Sequence, residues 1–249
     1  MEAASCVAGT WRLRWCCFCL VFWSALAHAQ AGAERVAWVW DGAQPPAWAS
    51  GNAAVVVRHV LLRGDKVLLR PRHSSPGLPA NARVTPVVHV QLSGTTPPPG
   101  LDHARDAIVE AMLHAAALST SGWVQLDLEA LASQRASYRA LVLEIRGRLP
   151  AATRLSVTAL AWWCQDARWL DGLAADEVVP MFFRMGHETE RMRKILVEKP
   201  ARLHARCGKA AGFSMQEPFT AIVAARYGRT YWFDNQRWKS GAIIEGQQQ

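Results

Sequence analysis

The segment Trp123-Val124-Gln125-Leu126-Asp127-Leu128-Glu129 carries the sharpest chemical signal in this 249-residue chain. In an extended strand alternate side chains share a face, so Gln125, Asp127 and Glu129 point one way while Leu126 and Leu128 point the other. Three polar groups on one face of an apolar strand are costly to bury without partners. Two neighbouring carboxylates also repel, which raises one pKa and suits a general acid at neutral pH. The plainer reading is an acidic pair that caps the next helix or bridges to Arg135.

Other polar and aromatic residues follow apolar runs that read as strands. Asp41 follows the first run, Trp162 and Trp163 the fifth, Arg184 the sixth, Gln216 and Glu217 the seventh, and Asp234 and Asn235 the eighth. If the eight strands close into a barrel, these residues ring one mouth, because barrel active sites sit at the C-terminal strand ends. Glu129 and Glu217 then follow strands four and seven. Retaining barrel glycosidases carry an acid/base and a nucleophile there, with carboxyls ~5 Å apart. Twelve tryptophans is a high count. Trp40, Trp162, Trp163, Trp232 and Trp238 lie at or just past strand ends, where a flat ring can stack on a sugar. Ordinary core filling is the competing use for each of them.

Other chemistries find little support. His187-Glu188 lacks the second histidine of a zinc-protease helix, since Arg191 stands at the required position. The other histidines beyond the leader (His59, His73, His89, His103, His114 and His204) show no ligand spacing. There is no Gly-x-Ser-x-Gly elbow, no phosphate-cradling glycine loop and no dinucleotide fingerprint. Neither a metal nor a cofactor is called for.

The elements that must position these residues can be read in turn. The eight apolar runs are Val36–Trp40, Ala53–Leu62, Val84–Gln91, Trp123–Leu128, Leu155–Leu160, Val178–Phe183, Ala211–Met215 and Thr230–Phe233. Several are near-continuous, the mark of strands covered on both faces. Amphipathic helices are predicted over Leu101–Leu118, Ser133–Leu149 (with Ser133 as N-cap) and Glu188–Val197. Strands alternating with helices imply a parallel sheet, and the length suits a single (β/α)8 TIM-barrel-like α/β domain. The first third departs from that rhythm. No convincing helix separates the first three strands, and Arg63-Gly64-Asp65-Lys66 reads as a hairpin turn to Val67–Arg70. Thr95–Gly100 is a short Pro-rich loop.

Residues 1–29 read as a secretory signal peptide. Arg12 and Arg14 precede an uncharged apolar run, Trp15–Ala27, and Ala27-His28-Ala29 is a small-x-small cleavage site. That run is short of the ~20 residues that span a bilayer. The expected mature chain is a barrel over residues 30–245 with a polar tail at 246–249. It carries 26 basic and 19 acidic residues, a net of +7. Arg184 to Lys209 is the densest basic stretch. Four of the six cysteines lie in the leader. The remaining pair, Cys164 and Cys207, suits one disulfide outside the cytosol. Export leaves no place for nucleic acid as partner, and no integral membrane segment remains after signal cleavage.

Two resemblances follow from these motifs. Ala37-Trp38-Val39-Trp40, Leu62-Arg63-Gly64-Asp65, Gln125 to Ala130 with Ser133-Gln134-Arg135, Ser156 to Cys164 and Val179 to Gly186 together resemble an uncharacterised bacterial family, domain of unknown function 3142. That resemblance carries no activity with it. More loosely, Gln125 to Glu129 is similar to the Asp-x-Asp-x-Glu end of the family-eighteen chitinase motif, although Gln125 stands where that motif has an aspartate. The likeness implies Glu129 as general acid and Asp127 as the group that positions a substrate acetamido. The functional expectation is a glycoside hydrolase-like barrel acting on an extracytoplasmic polysaccharide. The alternatives are a non-catalytic carbohydrate-binding barrel and a cell-envelope assembly protein.

Overall fold

Eight parallel strands close on themselves. In the computed structural model, which describes residues 33–93, 100–217 and 221–234, they are β1 (Glu34–Val39), β2 (Asn52–Arg63), β4 (Arg83–Ser93), β5 (Trp123–Leu128), β6 (Arg154–Leu160), β7 (Glu177–Met181), β8 (Ala210–Ser214) and β9 (Arg229–Phe233). Each pairs with the next, and β9 returns to β1. All eight predicted strands are present. The signal segment at 1–29, Thr95 to Pro99, Asn235, Trp238 and the tail at 246–249 lie outside the described residues.

The irregular first third is confirmed. A single 3-10 turn, Ala47–Ser50, joins β1 to β2, and β3 (Lys66–Pro71) runs antiparallel beside β2 where a helix would stand in a regular barrel. Gly64, at φ 60°, makes the tight turn between β2 and β3, which glycine adopts without steric cost. Later crossovers carry α1 (Arg105–Ala117), α2 (Arg135–Arg148), α3 (Ala167–Leu170), α4 (Thr189–Glu198) and α5 (Ala221–Ala224). Ser133 does not cap α2. The helix is entered through a 3-10 turn, where Leu131 N–H donates to Gln134 Oε1 at 2.9 Å.

Strand alternation sorts the side chains into an inner and an outer layer. Val36, Trp38, Val56, Val87, Val179, Tyr231 and Phe233 fill the barrel. Leu126 and Leu128 face outward and pack with Ile108, Met112, Tyr138, Leu141 and Ile145 of α1 and α2. On the opposite outer side Ala37, Phe213 and Trp232 pack with Met192 of α4 and with Tyr227.

The lower interior is polar and paired. Glu177 accepts from Ser156 Oγ and Tyr231 OH, both at 2.8 Å, and from Arg229 Nη1 at 3.2 Å. Arg229 also donates to Glu34 at 2.7 Å. Gln125 belongs to this stack, donating through Nε2 to Ser156 Oγ at 2.9 Å. Buried charges persist only when paired in this way. The expected disulfide is formed: Cys164 and Cys207, 43 residues apart, tie the turn after β6 to the turn before β8.

Candidate active site

Asp127 sits at the upper end of β5, in register with His89 on β4. Its Oδ2 lies 2.6 Å from His89 Nδ1, and its Oδ1 accepts from Thr158 Oγ1 of β6 at 2.7 Å. An ionised carboxylate only accepts, so His89 Nδ1 carries the proton. Burial alone would lower the His89 pKa. The hydrogen bond to Asp127 and the charges of Asp127 and Glu129 outweigh it, and the net shift is upward. His59, 5.5 Å from the His89 ring, shifts the other way, through burial and then the His89 charge. Two adjacent imidazoles are thus driven apart, His89 toward the cation and His59 toward the neutral form.

Glu129 lies just past the strand and faces open space. It is solvent-exposed, yet it stands in a concave wall that strips part of its hydration. Burial first, and then the neighbouring Asp127 charge, raise its pKa, against the opposing pull of His89 and Arg184. Among the described residues Glu129 has neither a hydrogen-bond nor an ion-pair partner. The two carboxylates thus differ in their surroundings: Asp127 is held by His89 and Thr158, while Glu129 is unpartnered among the described residues and its pKa is raised. Arg135 pairs with neither.

Both groups line a cavity of about 820 Å³ above the barrel. Trp40, at the end of β1, packs edge-on to His89 at 5.1 Å. Trp162, half-buried after β6, supplies a second indole, and Leu131, Met185, Arg184 and Glu188 complete much of the wall. Phe233 lines the cavity and stacks on Trp38 beneath it at 4.4 Å. Glu188 is engaged by Arg191 at 2.9 Å.

Several residues expected at the mouth lie elsewhere. Trp163 is fully buried and stacked on Trp169 at 3.9 Å with an interplanar angle of 7°. Trp232 faces the outer layer, because Tyr231 and Phe233 take the inward positions on either side of it. Gln125 is two residues too deep and is absorbed by the lower polar stack. Asp41 lies beside the cavity's first strand, but its carboxylate accepts from the backbone N–H groups of His73 and Ser74 and from Ser74 Oγ. After burial, which opposes the shift, these hydrogen bonds hold its pKa well below the usual range. Asp234 accepts from Gln216 Nε2.

Glu217 turns toward the chain rather than the cavity. Its Oε1 accepts the backbone N–H of Arg184 at 2.8 Å, and Arg193 lies 3.9 Å from Oε2. Arg184 is the one non-glycine residue with positive φ among the described residues, at 52°. Glu217 thus holds a strained pocket residue in place.

The sequence reasoning missed His89 and Thr158. Both alternate with apolar neighbours on inward-facing positions, Val88-His89-Val90 and Val157-Thr158-Ala159, and that pattern is the signal that could have found them.

No family model matches the chain, so membership of domain of unknown function 3142 is not confirmed. No curated protein matches it either. Among solved structures, the Bacillus cereus spore cortex-lytic enzyme SleL is similar in fold, with a TM-score of 0.50 and 12% identity. The match covers 74% of this chain and 51% of that one, so this chain spans about half the length of that structure. At this identity the likeness shows the barrel fold alone.

Proposed function

We propose that the chain is a glycoside hydrolase-like barrel that cleaves an extracytoplasmic polysaccharide, with Glu129 as general acid. The observation that carries this reading is the pairing of two differently placed carboxylates in one cavity. Among the described residues Glu129 is unpartnered and its pKa is raised, and Asp127 is held between His89 and Thr158. Glu129 donates its proton to the glycosidic oxygen as the C–O bond breaks. Asp127 orients the sugar group next to the reacting carbon, as the family-eighteen motif implies for an acetamido. His89 fixes the direction of the Asp127 carboxyl. Trp40 and Trp162 offer flat faces to sugar rings.

Glu217 drops out as second carboxylate, because its oxygen is committed to Arg184 N–H. The remaining expectation for the substrate's own acetamido fits that gap, since substrate-assisted glycosidases need no enzyme nucleophile. The shared fold with an enzyme that lyses a spore cortex supports a polysaccharide substrate. The leader-like first 29 residues and the Cys164–Cys207 disulfide support export to the periplasm or medium. Among the described residues no helix is long and apolar enough to cross a membrane.

The test is release of reducing ends from a panel of bacterial and plant polysaccharides, comparing the parent with Glu129→Gln. Release that vanishes in the variant supports the hydrolase. Tight binding by both proteins without release indicates a carbohydrate-binding barrel instead. Neither release nor binding leaves an envelope-assembly role.

A further inference from the structure

Arg184 is built into the cavity wall in an unusual way. Every other described residue with positive φ is a glycine: Gly42, Gly64, Gly77, Gly122, Gly172 and Gly186. Glycine would stand at position 184 without steric penalty, whereas an L side chain there is strained. Glu217 Oε1 holds the Arg184 N–H at 2.8 Å, so the strained backbone is fastened from a neighbouring strand end. Strain of this kind persists only where the surroundings over-determine it, and it gathers at binding and catalytic sites.

The side chain delivered by this arrangement is exposed and lines the same cavity as Glu129 and Trp162. Among the described residues its guanidinium has no hydrogen-bond or ion-pair partner. The other acidic groups of the wall are already placed: Asp127 is held by His89, and Glu188 by Arg191. His187, 92% exposed on the same rim, lies 3.3 Å from Glu188 and so leaves Arg184 to meet an anion. A guanidinium presents a planar fork of donors that matches carboxylate and sulfate geometry.

We infer that Arg184 forms an anion subsite of the cavity, and that the glycan it takes is acidic, bearing a carboxylate or sulfate on the ring beside the cleaved bond. This inference rests on the hydrolase reading for the bond that is cleaved, but binding alone can test it. The acidic group would sit in the Arg184 fork while the neighbouring sugar lies against Trp162 and Glu129. The anchored backbone fixes the point from which the Arg184 side chain reaches into the cavity.

One glycan scaffold can separate the sources of charge. Chondroitin sulfate oligosaccharides would be used intact, desulfated, carboxyl-reduced, and both desulfated and carboxyl-reduced. Affinities would be measured calorimetrically in the Glu129→Gln background, where turnover plays no part. The expected result is at least tenfold tighter binding of one or both singly charged forms than of the neutral form. The desulfated form winning identifies a carboxylate, and the carboxyl-reduced form identifies a sulfate. Arg184→Gln should abolish the preference while leaving neutral binding within about twofold, and Arg184→Lys should keep part of it. Arg184→Gly serves as a second variant that relieves strain while removing the charge, so its loss of preference cannot come from misfolding. Equal binding of charged and neutral forms, or no binding of any form, overturns the inference. So does an equal loss for all forms in Arg184→Gln. Reducing-end release by the parent is scored separately. Equal release from charged and neutral chains sinks the anion subsite and keeps the hydrolase, whereas charge-selective binding without release from any form does the reverse.

Discussion

His89 and Asp127 face each other across the adjacent parallel strands β4 and β5, with ring nitrogen and carboxylate oxygen 2.6 Å apart. The two members act on Glu129 with opposite sign. Asp127 raises the Glu129 pKa, whereas His89 and Arg184 lower it.

That opposition predicts the pH profile. A general acid must be protonated, so activity falls as pH rises through the Glu129 pKa. His89→Gln removes a positive neighbour and should move this alkaline limb to higher pH. Arg184→Gln should move it the same way, and Asp127→Asn should move it to lower pH. Profiles of kcat/KM for the parent and three variants would check all three signs. Identical limbs throughout would mean that Glu129 is not the titrating acid. Glu129→Gln itself should lose about 10²- to 10⁴-fold in kcat, the usual contribution of a positioned acid.

The same pair makes stability depend on pH. The folded His89 pKa lies above its ordinary value of 6.5. Its contribution is therefore complete below about pH 6.5 and is lost as pH rises through the folded value. Glu129, also raised, works in the same direction over a window that begins near 4.5. Urea midpoints should decline as pH rises above about 6.5, and His89→Gln should flatten that decline. An unchanged slope in the variant would remove His89 as its source.

The eight strands were legible because each is a short apolar run covered on both faces, and the missing early helices were legible because no amphipathic stretch separates those runs. Asp127 and Glu129 could be found from alternation alone. Trp232 was misplaced by counting aromatics near strand ends, although the alternation of Tyr231, Trp232 and Phe233 allows only one or two of them inside. Trp163 lies on a 3-10 turn beyond β6, where no alternation operates and only packing against Trp169 decides. Glu217 could not be placed, since its role depends on a backbone strain at Arg184 that no residue type announces. His89 is passed over by a search for metal spacing, but a lone polar residue between Val88 and Val90 points into the barrel.

Glu217 offers a direct comparison of acceptor against nucleophile. Glu217→Gln keeps an oxygen for the Arg184 N–H and should turn over substrate within a few-fold of the parent. Glu217→Ala removes the anchor and leaves a strain of about 1–2 kcal/mol at Arg184 uncompensated. It should lose stability by a similar amount, and adding Arg184→Gly should restore it. Abolition of turnover by Glu217→Gln would return Glu217 to a catalytic role.

The disulfide should matter to stability and not to the site. A 43-residue separation corresponds to about 4 kcal/mol in the chain-entropy model, with measured values commonly about 2–4 kcal/mol. The Cys164→Ser, Cys207→Ser double variant should lose that much in denaturant titration while retaining saccharide affinity. Both cysteines are buried, at 1% and 0% exposure, so a reductant should act on the bond only after unfolding begins. Rapid reduction of the folded protein would contradict that placement.

Trp162 and Trp163 are adjacent in sequence but should fail in opposite ways. Trp163 is enclosed against Trp169 and Tyr138, so Trp163→Ala opens a cavity and should cost about 3–5 kcal/mol of stability. Trp162 is half-buried, with its ring edge-on to Trp163 and Trp169 at 6.2 and 5.7 Å and part of its surface in the cavity wall. Trp162→Ala should cost less than Trp163→Ala, since part of the ring already faces the cavity rather than the core. It should instead weaken oligosaccharide binding severalfold, because a sugar ring loses its stacking face. Denaturation and calorimetry on the two variants separate these effects. Unchanged saccharide affinity in Trp162→Ala would show that the cavity binds its ligand without this indole.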